Sequence, residues 1–314
     1  MAVRIAVLAG GVGAARFLAG LVRVVDPAEV AVVGNVGDDV EFYGLHICPD
    51  LDTVLYTLAG VVHPQQGWGR AGDTFRVQAE LARFGLPVWF RLGDLDLAVH
   101  IFRTYRLRQG ATLAEVTAEI ARAFGVGVQL MPVSNDPVRT RVRTAEGWLD
   151  FQDYFVRLGT APAVLEVCFD GAETARPAPG VLEAIADSEV VVLAPSNPII
   201  SLGPILAVAG VREALRSTRA VVAGISPIVG GRAIKGPADR MLQSLGLEPS
   251  AAGVARLFAD FLDVWVIDRA DGHLAAEIQG LGIRPVVTDT VMADPERAAG
   301  LARILLREVC RWPA

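Results

Sequence analysis

Two stretches near the N-terminus decide the fold class: VRIAVLAGGVGAARFLAGLVRVV at residues 3–25 and VAVVGNVGDD at residues 30–39. Residues 3–9 form a nearly continuous apolar run, which is typical of a strand buried on both faces of a parallel sheet. After the glycines, residues 14–25 carry apolar side chains at helical spacing, and residues 30–33 predict a second buried strand. Strand, glycine loop, helix and strand in this order open a Rossmann-like fold.

The same alternation returns in the C-terminal half. Its predicted elements are strands at residues 190–194, 220–225, 264–267 and 285–288, a helix beginning near Pro204 and a closing helix at residues 295–309. Between the halves the chain is richer in Trp and Arg. This part predicts helices at residues 74–84, 96–109 and 113–124 and a hairpin formed by residues 140–144 and 147–151.

We therefore predict one compact α/β domain over residues 1–314. Its core is a Rossmann-like parallel sheet flanked by helices, formed by residues of about 1–60 and 166–314. Residues of about 61–165 form an inserted, mainly helical lobe.

The composition excludes several classes of protein. Of the 314 residues, 52% are hydrophobic and 20% are charged, which excludes extensive disorder. The net charge of −6 argues against a general nucleic-acid binder. Three distant cysteines without a CxxC pair argue against a disulfide framework or a zinc ribbon, and they indicate a reducing compartment.

Residues 190–211 carry no charge and are long enough to span a bilayer. Three prolines interrupt them, so a strand, a loop and a helix start explain this stretch better. The apolar run at residues 1–10 is too short for a signal peptide. We therefore expect a cytoplasmic protein with no membrane partner.

Gly10, Gly11 and Gly13 lie between the first strand and the first helix. Glycines there let a phosphate approach the backbone, and a helix N-terminus offers unpaired N–H groups. The loop is neither GxGxxG nor a Walker motif, so a tight turn without a ligand remains the alternative.

Four carboxylates follow or approach strand ends: Asp38 and Asp39 after the second strand, then Asp50 and Asp52. Loops at the carboxyl ends of parallel strands line the ligand crevice. Carboxylates gathered there repel one another unless a cation lies between them, and hard oxygen ligands suit Mg²⁺. The alternative for Asp52 is a cap on a helix beginning near Thr53.

His100 and Arg103 are three residues apart on a predicted helix and therefore share a face. Such a pair is usually a solvated surface feature. The segment Gly93-Asp94-Leu95-Asp96 opens this helix, and one of its aspartates is expected to be the cap.

Two further loops follow buried strands: Ser196-Asn197-Pro198 with Ser201, and Ser226 to Gly231. Short polar side chains and glycines there suit contacts to phosphate, ribose or base edges. Ordinary turn chemistry is the alternative for each loop taken alone.

The ordered set of loops resembles the 2-phospho-L-lactate transferase family of coenzyme F420 biosynthesis, including its bacterial phosphoenolpyruvate transferase branch. The resemblance covers almost the whole chain. It rests on the segments Gly10–Gly13, Asn35–Asp39, Pro49–Tyr56, Gly93–His100, Ala194–Pro198, Ser226–Gly231, Gly236-Pro237 and Thr288–Met292.

The resemblance implies a reaction and its partners. A guanosine diphosphate-linked three-carbon acid donates its phospho-acid group to the ribityl hydroxyl of the deazaflavin Fo, GMP leaves, and Mg²⁺ is required. It also implies a homodimer. The core would face the nucleotide, and the lobe would enclose Fo with Trp68, Trp89, Phe90 and Phe102 as candidate walls.

On this resemblance each candidate residue receives a role. The catalytic candidates are Asp50, Asp52, His100 and Arg103. Those for the nucleotide are Gly10, Gly11, Gly13, Asn35, Ser196, Asn197, Ser226, Gly230 and Gly231. Those for Fo are Asp50, Thr53 and Asp94, and those for Mg²⁺ are Asp38, Asp39 and Asp50.

The chain departs from the family pattern at three positions. Arg16 stands where Lys is frequent, Val12 where Thr is frequent, and Leu95 where many members have Arg. With Leu95 this loop lacks that cation for a phosphate or Fo contact, and Arg91 or Arg103 is the candidate substitute. Two other functions remain as alternatives: a non-catalytic regulator of the same fold that binds nucleotide sugars, and an NAD-dependent dehydrogenase, which the absence of GxGxxG disfavours.

Overall fold

The apolar runs of the two halves pair in one seven-stranded parallel sheet, as the computed structural model of residues 4–310 shows. Val3, which belongs to the predicted first strand, lies outside the described residues. The α/β class and the parallel Rossmann-like core are confirmed. No helix among residues 4–310 is both long enough and apolar enough to cross a bilayer.

The elements are as follows. The strands are β1 Ile5–Ala9, β2 Val30–Gly34, β3 Val40–Phe42, β4 Leu45–Ile47, β5 Gln129–Pro132, β6 Arg139–Thr144, β7 Gly147–Asp150, β8 Glu166–Asp170, β9 Val190–Leu193, β10 Val221–Ile225, β11 Ile228–Val229, β12 Arg232–Ala233, β13 Val264–Asp268 and β14 Arg284–Thr288. The α-helices are α1 Gly11–Leu21, α2 Pro49–Leu58, α3 Arg76–Arg83, α4 Asp94–Arg108, α5 Leu113–Ala123, α6 Val181–Ala186, α7 Leu202–Ala207, α8 Val211–Ser217, α9 Ala238–Ser244, α10 Ala251–Leu257, α11 Ala275–Gly280 and α12 Pro295–Val309.

Strand β1 lies near the centre of the sheet, whose order is β14-β13-β10-β9-β1-β2-β5. Ile5 pairs with Val30 of β2 on one side and with Val190 of β9 on the other. The chain therefore moves outward from β1 first in one direction and later in the other. In open parallel sheets a crevice forms at such a switch point, outside the carboxyl ends of the strands.

The division between core and lobe differs from the predicted one. Strand β5 lies within residues 61–165 but forms an edge of the main sheet, where Gln129 pairs with Ala31. This strand has only four residues, Gln129–Pro132, and follows a helix closely, so periodicity could not distinguish it from the helix end and it was missed. The predicted hairpin is confirmed as β6 and β7, and β8 joins it to form a separate three-stranded antiparallel sheet.

Gly13 allows the first turn of α1 to pack against the loop after β9. A Cβ atom built on Gly13 would lie 2.1 Å from the carbonyl oxygen of Pro195, which is backbone and cannot rotate away. Close packing against Pro195 therefore requires glycine at position 13, whether or not the loop binds a phosphate.

Gly13→Ala should lower the melting temperature by several degrees, because overpacking of this kind costs about 1–3 kcal/mol. Gly300→Ala is the matched control, since Gly300 lies in helix α12 and its Cβ would meet nothing within 4 Å. Differential scanning calorimetry of both variants tests this. An unchanged melting temperature for Gly13→Ala would contradict the packing role.

Candidate active site

The loops after β1, β2 and β9 meet at the carboxyl edge of the sheet, as predicted. The backbone N–H of Gly10 donates to Ser196 Oγ at 3.2 Å. Asn35 Nδ2 donates to the carbonyl oxygen of Ile200 at 3.2 Å and to Asp50 Oδ2 at 2.9 Å. One buried amide side chain therefore ties the β2 loop to the β9 loop and to the start of α2.

Three of the predicted carboxylates, Asp38, Asp39 and Asp50, gather in this crevice and are buried. Burial raises the pKa of Asp50 to about 6, although hydrogen bonds from Asn35 and Gly11 oppose the shift and the charge of Asp39 adds to it. Burial and the charge of Asp50 also raise the pKa of Asp38 well above its usual range. Ionising all three carboxylates together is thus costly without a counter-charge.

Among residues 4–310, the groups whose possible metal-ligand atoms lie within 4.8 Å of one another are Asp39 with His46 and Cys48, and Asp52 with Asp96 and His100, so the three carboxylates do not already converge on one cation position. Asp38 Oδ1 and Asp39 Oδ1 are buried, and neither has a hydrogen-bond partner. Asp39 Oδ2, in contrast, lies 3.1 Å from His46 Nε2 and accepts from the Cys48 thiol at 3.1 Å. His46 and Cys48 thus hold Asp39 by one oxygen and leave the other for a ligand.

Asp52 does not join this cluster. It pairs through both carboxylate oxygens with the Arg103 guanidinium, and its Oδ2 lies 3.0 Å from Arg103 Nη1. Residues two apart on a helix point about 200° away from each other, so α2 turns Asp50 and Asp52 in different directions. Asp52 is also not a helix cap, since α2 already begins at Pro49.

His100 and Arg103, the two catalytic candidates on α4, are almost fully buried, so the alternative of a solvated surface pair is wrong. His100 Nδ1 lies 3.2 Å from Arg103 Nη1, and His100 Nε2 lies 3.3 Å from Asp96 Oδ2. Asp96 in turn accepts from the Tyr56 hydroxyl at 2.6 Å. Burial disfavours the charged guanidinium, but Asp52 keeps the pKa of Arg103 above its usual range. These contacts hold α4 against α2.

Asp94 does not cap its own helix α4, as was predicted for one aspartate of this segment, but caps the start of α3. Its carboxylate accepts from the Thr74 hydroxyl and from the backbone N–H of Val77 at 3.1 Å, at the start of α3. The hydrogen bond from Thr74 lowers the pKa of Asp94. The start of α4 is held instead by Asp73, whose Oδ1 accepts from the Leu95 N–H at 2.8 Å. Asp73, which precedes α3, therefore caps α4, and Asp94, the first residue of α4, caps α3.

Several groups predicted to contact the nucleotide are hydrogen-bonded within the protein, two of them inside their own loops and Gly230 to the segment after β13. Asn197 Oδ1 accepts from the Ile199 N–H at 2.9 Å. Ser226 Oγ donates to the Ile228 carbonyl at 2.9 Å. The Gly230 N–H donates to both oxygens of Asp271, at 3.0 and 3.1 Å. These groups shape the loops, which leaves exposed backbone such as Gly231 for a ligand. Thr53 is buried on α2.

The sequence matches the family described as 2-phospho-L-lactate transferase CofD over residues 5–304. The chain belongs to the 2-phospho-L-lactate transferase family. The resemblance drawn from its loops is thereby confirmed.

Curated relatives and a solved structure agree with this. A phosphoenolpyruvate transferase of Kitasatospora aureofaciens is 46% identical over 310 residues, covering 96% of this chain and 97% of the relative. A phosphoenolpyruvate transferase of Streptomyces griseus is 45% identical, with 96% of each chain covered. A crystal structure of a UPF0052 family member from Bacillus halodurans has a TM-score of 0.68 at 16% identity, covering 98% of this chain and 99% of that one, and shows the same fold.

Sequence reasoning missed His46, Cys48, Asp73 and Asp271. His46 and Cys48 had a signal, because residues two apart in an extended segment share a face and both lie within three residues of the Pro49–Tyr56 segment. Asp73 and Asp271 had none, since their partners are distant in sequence.

Arg103→Met should destabilise this member of the 2-phospho-L-lactate transferase family by about 3–5 kcal/mol, because it leaves the buried Asp52 without its counter-charge. The double variant Arg103→Met/Asp52→Leu should recover part of the loss. Arg83→Met is the control, since the Arg83–Glu80 pair is exposed. Thermal unfolding of the three variants measures this, and equal melting temperatures for Arg103→Met and Arg83→Met would contradict it.

Asp38→Asn and Asp50→Asn should each raise the melting temperature in EDTA, because each removes one of three buried like charges. Mg²⁺ should raise the melting temperature of the wild type and lose most of this effect in both variants. Asp187→Asn, at an exposed position, should behave as wild type. A full Mg²⁺ response in Asp50→Asn would rule out the carboxylate cluster as the cation site.

Proposed function

We propose that the protein transfers a phosphorylated three-carbon acid from a guanosine diphosphate-linked donor to the hydroxyl of Fo in coenzyme F420 biosynthesis, releasing GMP. Family membership supports transfer of a phosphorylated acid. The observation that carries the proposal is the buried group of Asp38, Asp39 and Asp50 beside the glycine loop. The relatives named phosphoenolpyruvate transferase favour phosphoenolpyruvate over 2-phospho-L-lactate.

The proposed reaction exchanges one phosphorus–oxygen bond for another. The Fo hydroxyl oxygen bonds to the phosphorus that carries the acid, the anhydride bond breaks, and GMP leaves with the bridging oxygen. The hydroxyl proton passes to a base or to solvent. Such transfer depends mainly on positioning and on stabilising negative charge.

The residues present suit these tasks. Mg²⁺ bound by Asp38, Asp39 and Asp50 would supply positive charge at the donor phosphates. Gly10 and Gly11 let the chain run close to Asp50, because a Cβ on Gly10 would lie 2.6 Å from Asp50 Oδ2. Donor phosphates at the glycine loop would therefore lie beside the carboxylates. Arg103 and His100, being buried with Asp52, act by holding α2.

The acceptor is proposed to lie against the segment 61–165. Of its four candidate aromatic walls, Trp68 and Phe102 are each 41% exposed and can meet a flat ring system. Phe90 is buried with Phe42, and Trp89 packs edge-on against Phe42 with ring centroids 5.2 Å apart. Trp68 and Phe102 are thus the better candidates.

A homodimer in the cytoplasm is proposed as the working form. Large apolar side chains remain exposed on α3, α4 and the adjoining turns, including Phe84 at 79% and Tyr105 at 59% exposure. Exposed apolar groups of this size are characteristic of interaction surfaces.

The assay is incubation of the protein with Fo, Mg²⁺ and each guanylylated acid, with products identified by mass spectrometry. We expect a phosphodiester of Fo from the phosphoenolpyruvate donor. Asp50→Asn should lower the rate at least about a hundredfold, whereas Asp187→Asn should retain it.

Two results would contradict the proposal. Undiminished turnover of Asp50→Asn at saturating Mg²⁺ would remove Asp50 from the reaction. No product from any guanylylated donor, together with binding of a nucleotide sugar, would instead favour the regulatory, non-catalytic alternative.

A further inference from the structure

Lys235, the one lysine of the chain, lies between β12 and α9 and reaches across to the segment 61–165. Its ammonium donates to the backbone carbonyl of Gln66. The next residue, Gly67, touches the glycine loop: a Cβ there would lie 2.8 Å from Val12 Cγ1 and 3.4 Å from Lys235 Nζ. Lys235 therefore lies beside the start of α1.

Arg16 adds a second cation at this place. It follows Val12 by four residues on α1, so the two share a helix face. Burial and the charge of Arg16 both lower the pKa of Lys235. Within residues 4–310, neither Arg16 nor Lys235 forms an ion pair with a carboxylate. Two neighbouring cations without a carboxylate favour an anion between them.

The two cations and the carboxylates lie on different sides of the glycine loop. Gly10 and Gly11 approach Asp50, with Asp50 Oδ1 3.7 Å from a Cβ built on Gly11. Val12 instead approaches Gly67 and Lys235. A diphosphate laid along the loop would meet a cation held by the carboxylates at one end and the Lys235–Arg16 pair at the other.

We propose that Lys235 and Arg16 bind the phosphate oxygens of the donor, on the side of the glycine loop away from Asp50. This proposal rests on the proposed function for the identity of the donor. Lys235 exchanges the neutral Gln66 carbonyl for a phosphate oxygen, which is the stronger acceptor. The segment around Gly67 is thereby released or repositioned when the donor binds.

Isothermal titration with GDP and with inorganic pyrophosphate, both with Mg²⁺, tests the pair in wild type, Lys235→Met and Arg16→Met. Loss of one charge-assisted contact should raise the dissociation constant of each ligand by about tenfold to a hundredfold. Lys235→Arg should restore most of the affinity. Arg303→Met is the control, because Arg303 is exposed on α12 and its substitution removes the same charge.

The melting temperature should stay unchanged in Lys235→Met, which separates loss of the anion site from loss of the fold. Wild-type affinity of Lys235→Met and Arg16→Met for both ligands would overturn the proposal, even if transfer to Fo is confirmed. Binding of neither ligand by the wild type would overturn it too. If transfer fails but pyrophosphate binding still depends on Lys235, the anion site stands and the proposed function falls.

Discussion

The burial of three carboxylates at one edge of a parallel sheet is the constraint on which the site depends. Asp38 and Asp39 come from the loop after β2, and Asp50 comes from the first turn of α2, which returns to the carboxyl ends of the neighbouring strands β1 and β2. Burial raises the pKa values of Asp38 and Asp50, which means that ionising these carboxylates costs folding free energy. Natural proteins retain such groups where function requires them.

The surrounding residues keep this arrangement in place. Asn35 connects Asp50 to the β9 loop, while His46 and Cys48 fix one oxygen of Asp39. Behind them, the Asp52–Arg103 pair fastens α2 to α4, so the helix that carries Asp50 cannot rotate freely. The buried ion pair and the buried carboxylate cluster thus have opposite electrostatic character. The Asp52–Arg103 pair is neutralised within the protein, whereas the proposed function assigns a Mg²⁺ ion to the carboxylate cluster.

Much of the fold was readable from the sequence because parallel strands are apolar on both faces, and helix α12 was placed at its observed bounds. The carboxylate cluster was also predictable, since strand ends of one sheet lie at one edge. The roles of Asp52 and Asp94 were not. The phase of α2 decides where Asp52 points, and the partners of Asp52 and Asp94, Arg103 and the start of α3, are set by tertiary packing. Strand β5 was missed because a strand of four residues shows no distinct periodicity.

A crystal structure of the protein with Mn²⁺ and GDP, phased to show the anomalous signal of the metal, tests the central claim most directly. One peak bounded by the oxygens of Asp38, Asp39 and Asp50, next to the GDP phosphates, is the expected result. A peak bound by His46 and Cys48 with Asp39, or by Asp52, Asp96 and His100, would contradict it, since the ligand atoms of each of these groups lie within 4.8 Å of one another. A crevice that holds GDP with no metal at the three carboxylates would contradict it too.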